Sequence, residues 1–313
     1  MNEEFALPDF FRGKNLLMMR KNQDIADSIC QAIERIKSRS PAFDNILEAF
    51  GELIIARACF KAQLPLPDTD ETFRPDPLRF SQGLHLLAEK MPVFDRNCYL
   101  KAADSLFPPM EKGFPKIARD IHAVKRAIEN QQLSPEMFMP GLPEGEDAKH
   151  REIIAELNIK PQVLQFIIGE IMKPFLEKQA EALSPLIQEL QWHKGYCPIC
   201  GSYPELSILQ GQSGERYLRC AVCAYQWRFI RTECPACENE KIADIEVIFF
   251  EQSPHERAEL CRSCKKYLIA FDLRKYPHAI VFDVERLGAL YLDIIAQERG
   301  YFPIAGNAWN VPE

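Results

Sequence analysis

The chain has 313 residues, of which 47% are hydrophobic and 27% are charged, and its formal net charge is −7. These values exclude a disordered chain and leave room for two folded domains. The negative charge makes nucleic acid an unlikely partner for the surface as a whole. No run of about 18 apolar residues occurs, so we predict no membrane insertion. The acidic start of the sequence lacks a secretory signal and favours a cytoplasmic location.

The first part of the chain, residues 1–192, is predicted to be a helical domain. Apolar residues recur there every three or four positions, which is typical of amphipathic helices. The segments with this periodicity are 24–37, 43–60, 77–90, 97–107 and 113–131. A Pro/Gly/acidic stretch at 139–147 should end this series. The helical stretch 161–192 follows and is predicted to be interrupted at Pro174 and at Ser184-Pro185.

After Trp192 the sequence changes to short runs rich in aromatic and β-branched residues. Such runs predict strands joined by turns. They are found at 203–209, 217–219, 225–230, 242–250, 267–271 and 278–284. A helix is predicted at 286–299, with Asp283 as its N-cap and Gly300 as its terminator.

Eight of the eleven cysteines lie within 68 residues and form four Cys-x-x-Cys pairs. The eight are Cys197, Cys200, Cys220, Cys223, Cys234, Cys237, Cys261 and Cys264. Two intervening residues let one turn point both sulfurs at the same ion, and two such turns complete a tetrahedral shell. In a long chain without a signal peptide, this spacing indicates metal ligation rather than a disulfide framework.

The four pairs can share two ions in three ways, and an internal repeat favours one of them. The segment around the first pair resembles that around the third, and the second resembles the fourth. This order indicates a duplication with a period of about 40 residues. The first pair should therefore share an ion with the second, and the third with the fourth. A cross-braced arrangement is the alternative, and it breaks the repeat.

The predicted fold class is α+β with several domains. A mostly helical N-terminal domain is followed by two tandem rubredoxin-like or zinc-ribbon modules and a C-terminal helix. The predicted units are 1–192, 193–232, 233–275 and a strand and helix at 276–313.

Four thiolates suit either zinc or iron (Fe²⁺/Fe³⁺), so the two expected metal cofactors are not distinguished by ligand type. The glycine at 201 resembles the rubredoxin pattern, but the other three pairs lack it, which counts against a redox-tuned iron site. A closed shell leaves no open position for Lewis-acid catalysis. Since the sequence also carries none of the common catalytic motifs, we predict no enzyme and no catalytic residue.

One histidine and three cysteines outside the four pairs also have side chains that can bind metal. His193 is an alternative ligand, but a polar residue at a domain junction is the simpler interpretation. The remaining cysteines, Cys30, Cys59 and Cys98, lie in helical patterns and are expected to be buried small hydrophobic residues.

These motifs resemble those of the formate dehydrogenase accessory proteins, the FdhE family. The resemblance covers most of the chain and is most specific from about residue 195 to 307. Besides the four pairs in this order, it rests on Trp227-x-x-x-Arg231-x-x-Cys234, on Cys261-x-x-Cys264-Lys-x-Tyr-Leu followed by Asp272, and on Leu292-Asp293, Gly300-Tyr301 and Gly306-Asn307.

The resemblance implies a cytoplasmic, non-enzymatic maturation factor. Such a protein binds the catalytic subunit of respiratory formate dehydrogenase before export by the twin-arginine route, and the family is associated with iron at these eight cysteines. A zinc-ribbon protein that binds nucleic acid and a rubredoxin-like redox carrier or sensor are the alternatives. The oligomeric state is left open, with a homodimer as one outcome.

Overall fold

The computed structural model describes residues 9–68, 73–89, 96–135, 147–276, 278–307 and 310. Within these ranges the chain forms a helical N-terminal region, then a sheet region that holds two four-cysteine clusters, then two short helices and a last strand. This arrangement confirms the predicted α+β class. The exact limits of the four predicted units stay predictions.

The helical region is organised around the second helix. Its helices are α1 Asp9–Arg39, α2 Asp44–Gln63, α3 Pro77–Ser81, α4 Leu86–Glu89, α5 Arg96–Gly113, α6 Ala118–Glu129, α7 Asp147–Leu157 and α8 Pro161–Leu183. Helix α2 packs against α1, α5 and α8. Its residues Leu47, Phe50, Leu53 and Ile54 recur at helical spacing and are buried, so the predicted amphipathic pattern directs the packing.

The predicted interruption at Pro174 is wrong, because α8 continues through that residue. An internal proline removes a hydrogen bond and costs about 3 kcal/mol. Burial of a large apolar side chain returns about 1.5–3 kcal/mol, and Ile171 and Phe175 are among several such side chains on α8. At Ser184 a 3-10 turn follows α8 in place of a newly capped helix. The predicted break at 139–147 lies outside the described residues except for its last residue.

The seven strands found in the described residues belong to one sheet. They are β1 Pro204–Gln210, β2 Glu215–Cys220, β3 Gln226–Arg228, β4 Ile245–Phe250, β5 Ser253–Cys261, β6 Lys266–Asp272 and β7 Phe302–Pro303. The order is β3-β2-β1-β6-β5-β4, and β7 pairs with β6. Strands β1 and β6 run parallel and join two antiparallel three-stranded units. The predicted tandem modules therefore share a continuous sheet.

Strand β5 lies within a segment for which no strand was predicted. Its polar residues hide the strand pattern, because Glu256, Arg257 and Glu259 are all bound in ion pairs. Arg257 pairs with Asp272 of β6 at 2.5 Å, and Glu259 pairs with Arg216 of β2 at 2.5 Å. Cross-strand charge pairs replace the apolar alternation that identifies a half-buried strand.

The C-terminal region differs from its prediction in two ways. The predicted strand at 278–284 is wrong, since helix α9 occupies Phe282–Gly288. Val281 is the N-cap, and the predicted cap Asp283 turns instead toward cationic side chains of the helical region. The predicted helix 286–299 is divided, because α10 begins at Leu290 and ends at Glu298. Gly300, with φ +79°, follows its end as predicted.

Two apolar cores result from this packing. The larger core lies between the helices of the helical region, and it extends into the first three-stranded unit through Leu218, Trp227 and Phe229. The smaller core lies between the second unit and α10. Among the described helices, none combines the length and the apolar content that crossing a bilayer requires.

Candidate metal centres

The eight predicted ligands form two groups of four, with the sulfur atoms of each group within 4.8 Å of one another. The first group comes from pairs one and two, and the second from pairs three and four, as the internal repeat predicted. We call them the first and second centres. The sulfur distances are 3.5 Å for Cys197–Cys223, 3.4 Å for Cys200–Cys220, 3.7 Å for Cys234–Cys264 and 3.7 Å for Cys237–Cys261. A tetrahedral zinc–thiolate shell with bonds of about 2.3 Å requires about 3.8 Å, so both donor sets fit such an ion.

Each cysteine pair is held by the same tight turn. The residue after the second cysteine has a left-handed backbone in all four turns, with φ of +76° at Gly201, +54° at Ala224, +55° at Glu238 and +59° at Lys265. Ala224, Glu238 and Lys265 therefore adopt the left-handed conformation, which residues other than glycine rarely adopt. The missing glycines therefore do not alter the turn, and they do not distinguish iron from zinc.

Backbone N–H groups point at the sulfurs. The amides of Val222 and Cys223 donate to Cys220 Sγ at 3.4 and 3.5 Å. In the second centre burial opposes ionisation of Cys261, but amides of its own turn donate to the sulfur and the pKa of this thiol is lowered. Hydrogen bonds of this kind stabilise the thiolate form, which is the form that binds metal.

The thiols of the first centre cannot all ionise without a cation. Burial raises the pKa of Cys197 and of Cys223 well above the usual range. Hydrogen bonds from its neighbours, Cys197 first, lower the pKa of Cys200. Four thiolates packed this closely repel one another, so binding through all four sulfurs needs a cation of charge +2 or more.

The helical region closes over the first centre. The amides of Leu86 and Leu87, at the start of α4, donate to the carbonyls of Pro198 and Ile199 at 3.0 and 2.9 Å. A Cβ atom on Gly201 would lie 2.6 Å from the ring of His85. The first turn is thus covered by a helical segment more than 100 residues away in sequence, and the sequence gives no local signal for this contact.

The second centre is built by the sheet and two loops. Cys261 ends β5 and lies opposite Ile245 of β4. The amide of Arg262 donates to the carbonyl of Asp244 at 2.8 Å, and the side chain of Asn239 donates to the carboxylate of Asp244 at 2.8 Å. Cys237 is exposed and Cys264 is half-buried, whereas all four ligands of the first centre are buried.

Two contacts link the centres, and sequence reasoning missed both. Arg216 of β2 is buried and donates to the carbonyls of Ile230 and Glu233, at 3.1 and 2.7 Å, as well as to Glu259. It therefore fixes the linker between the two units. Gly195 lies so close to Pro235 that a Cβ atom would be 1.8 Å from the Pro235 carbonyl oxygen. The turn before the first pair and the third pair are in backbone contact.

The remaining candidate residues lie outside both centres. His193 is exposed and belongs to neither group of sulfurs. Cys59 and Cys98 are half-buried, but Cys30 is exposed, so the expected burial of that residue is wrong. Cys30 lies on the solvent-facing side of α1. Helical spacing alone does not show whether a small side chain such as cysteine faces the core or the solvent.

Comparison with known proteins points to one family. The family model for the FdhE central domain matches residues 196–231, which include the first centre. A protein described as "Protein FdhE homolog" from Aquifex aeolicus is 30% identical over 155 residues, and its namesake from Pseudomonas aeruginosa is 36% identical over 123 residues. These matches support an FdhE family protein. The aligned segments cover 49% and 37% of this chain.

The aligned segments span 54% of the Aquifex relative and 40% of the Pseudomonas relative, so they cover about half or less of either protein. The crystal structure of the FdhE protein from Pseudomonas aeruginosa extends the similarity in fold. It superposes with a TM-score of 0.60, and the match covers 92% of this chain and 97% of that one at 24% identity. The FdhE fold is therefore shared by the helical region and the sheet region.

Proposed function

We propose that this chain is a cytoplasmic assembly chaperone that binds the catalytic subunit of respiratory formate dehydrogenase before twin-arginine export, and that it is not an enzyme. The FdhE matches support a formate dehydrogenase accessory protein family. The client and the export step come from the family resemblance of the cysteine motifs. One observation carries the proposal: two closed four-cysteine clusters occur in a fold that matches FdhE over 92% of the chain.

The clusters support a structural role for the bound ions. Each offers four sulfur donors, so an ion that accepts all four keeps no position for water or substrate. Zinc or iron would cross-link the strands of its unit. Binding of a structural Zn²⁺ in small peptides contributes about 10–16 kcal/mol, which is comparable with the stability of a whole domain. The stability of the sheet region, which holds both clusters, would therefore depend on the bound metal ions.

The proposal is tested by capture from a native cytoplasm without oxygen. The full chain, metal-loaded, should co-purify with the catalytic subunit of formate dehydrogenase and should contain two metal ions. A Cys220→Ser variant, which loses a ligand of the first centre, should lose the subunit. A Cys30→Ser variant, which changes an exposed cysteine outside both centres, should retain it.

Two results would contradict the proposal. One is a fully metallated chain that captures no formate dehydrogenase subunit. The other is salt-sensitive binding of DNA or RNA, which would favour a nucleic-acid-binding ribbon instead.

A second candidate, a rubredoxin-like redox carrier, is favoured by the turn geometry. The left-handed turn recurs at Ala224, Glu238 and Lys265 without glycine, so the sequence objection to iron loses its force. Amide donors on Cys220 would also tune a bound iron. Anaerobically purified protein with iron and a reversible one-electron potential would support this candidate. Zinc as the native metal would exclude it, because Zn²⁺ has no redox chemistry.

A further inference from the structure

The two centres differ in how far solvent reaches their ligands. In the first centre Cys197, Cys200 and Cys220 are 0% exposed and Cys223 is 2% exposed. In the second, Cys234 and Cys261 are buried, but Cys237 is exposed and Cys264 is half-buried. Identical donor sets with nearly identical turns are therefore placed in two different environments.

The packing around the centres differs in the same direction. All four sulfurs of the first centre belong to the core of the helical region, and α4 donates two backbone hydrogen bonds to its first turn. Opening that centre requires separation of the helical region from the sheet. Such an opening approaches global unfolding in free energy.

The second centre lies beside an edge strand. Strand β4 is the last in the sheet order and exposes Val247 and Phe249, with 44% and 55% of their surface accessible. A cavity of about 20 Å³ adjoins Cys234 and Cys261 and has room for one water molecule. Cys237 lies on the exposed side of its turn, and exposed segments open at lower cost in free energy than segments inside a core.

We propose that the first centre is a permanent structural site and that the second is an exchangeable site for a thiophilic divalent cation. On release, an incoming ligand would replace the four cysteine sulfurs on the cation, beginning with the exposed Cys237, and the four freed thiolates would take up protons from solvent. No oxidant is involved. The fold around the first centre stays intact throughout. The proposal depends on metal binding by both clusters and not on the identity of the client.

The experiment uses the full chain loaded with two equivalents of Zn²⁺ in a non-thiol reductant. An excess of the chromogenic chelator 4-(2-pyridylazo)resorcinol is added, and zinc release is followed together with circular dichroism. We expect one zinc per chain to leave at least about tenfold faster than the other, without loss of the helical signal. The second zinc should leave only when urea unfolds the helical region.

Matched ligand variants assign the two phases. Cys200 and Cys237 are the second cysteines of equivalent turns in the two units. Cys237→Ser should stay folded, bind one zinc and lose the fast phase. Cys200→Ser should reduce the amount of soluble protein. Loss of the slow phase in Cys237→Ser, or equal release rates for both ions, would overturn the proposal.

Alkylation gives a readout that does not depend on any variant folding. The native chain is treated with the chelator for the duration of the fast phase and then with iodoacetamide, and the modified cysteines are located by mass spectrometry. Cys237 and Cys264 should be modified while Cys197 and Cys223 stay protected. Modification of the first centre at the same rate would contradict the assignment. Formate dehydrogenase is absent from these assays, so a failure of the chaperone proposal leaves their outcome unchanged.

Discussion

Replacement of Asp283 by alanine should destabilise the contact between the helical region and the C-terminal segment. Its carboxylate accepts from Arg57 at 2.5 Å, from Lys173 at 3.3 Å and from Arg219 at 3.1 Å. These residues come from α2, α8 and β2, so one side chain on α9 joins three elements. Only 20% of the Asp283 side chain is exposed, and both arginine side chains are 8% exposed.

The expected cost follows from the charges that remain. Without Asp283, the buried Arg57 keeps Glu170 and the buried Arg219 keeps Glu205, but each loses its second carboxylate and the half-buried Lys173 loses its partner. Removal of one partner from a buried ion pair typically costs about 3–5 kcal/mol, because the other charge is left uncompensated. With an unfolding entropy of about 2.1 cal/mol/K per residue over the chain, this corresponds to a fall in Tm of roughly 5–8 °C. Asp283→Asn keeps an acceptor oxygen and should cost less.

The lowered pKa of Asp283 also sets how the cost of Asp283→Ala depends on pH. Burial opposes ionisation of Asp283, but Lys173, Arg57 and Arg219 hold its pKa well below the usual range. An acid whose pKa is lower in the folded state contributes its full stability above the unfolded pKa of about 3.9, and this contribution is lost as the pH falls through the folded pKa. The difference between wild type and Asp283→Ala should therefore be the same at about pH 5 and pH 8.

Urea denaturation of the metal-loaded protein measures the difference in unfolding free energy. The matched control is Asp104→Ala, which removes an exposed pair with Lys125, because the Asp104 side chain is 64% exposed. Pairs of this type contribute at most about 1 kcal/mol. If Asp283→Ala costs no more than Asp104→Ala, the cation cluster does not depend on Asp283 and the reasoning fails.

Two further substitutions test the contacts between the centres. Arg216→Met should cost about 3 kcal/mol or more in urea denaturation, because it removes the cation from the half-buried Glu259 and the donor from two backbone carbonyls. The control Arg228→Met changes a side chain that is 73% exposed and should cost under about 1 kcal/mol. Equal costs would contradict the linker role of Arg216. Gly195→Ala should lower the free energy of unfolding by about 1–3 kcal/mol, because the added Cβ atom clashes with Pro235. The control is Gly169→Ala on α8, where the added Cβ atom meets nothing within 4 Å. This control should raise the free energy of unfolding by up to about 1 kcal/mol. A neutral Gly195→Ala would show that the turn before the first pair is free to move.

The sequence was most informative where covalent spacing determines geometry. A Cys-x-x-Cys pair brings its own sulfurs together through one turn, and the resemblance between pairs identified which pairs share a centre. The periodicity of α2 was sufficient for the same reason, because residues three and four apart lie on one face of a helix. In both cases the relevant distances are local in the chain.

Tertiary contacts explain the elements that the sequence did not predict correctly. The predicted strand at 278–284 ends inside α9, where Asp283 pairs with cations of α2, α8 and β2. Strand β5 has too many charges for a strand pattern, and their partners lie on β6, on the more distant β2 and on α1. Sequence patterns relate residues only a few positions apart, so they do not indicate ion-pair partners that are distant in the chain. Such ion pairs were the main source of error.

The same ion pairs explain why two centres with equal ligands acquire unequal environments. The duplication gives each unit its turns and its strands, but Arg219 occurs in the first unit only, where it reaches Glu205 and Asp283. At the position equivalent in the repeat, just before the fourth pair, the chain has Leu260, which is buried in the small core beside α10. The residue before the second pair therefore reaches the ion-pair cluster of α2, α8 and α9, whereas the residue before the fourth pair packs in the small core beside α10. Divergence beside a cysteine, together with the contacts of α4 on the first turn, thus accompanies two different environments while the donor set stays the same.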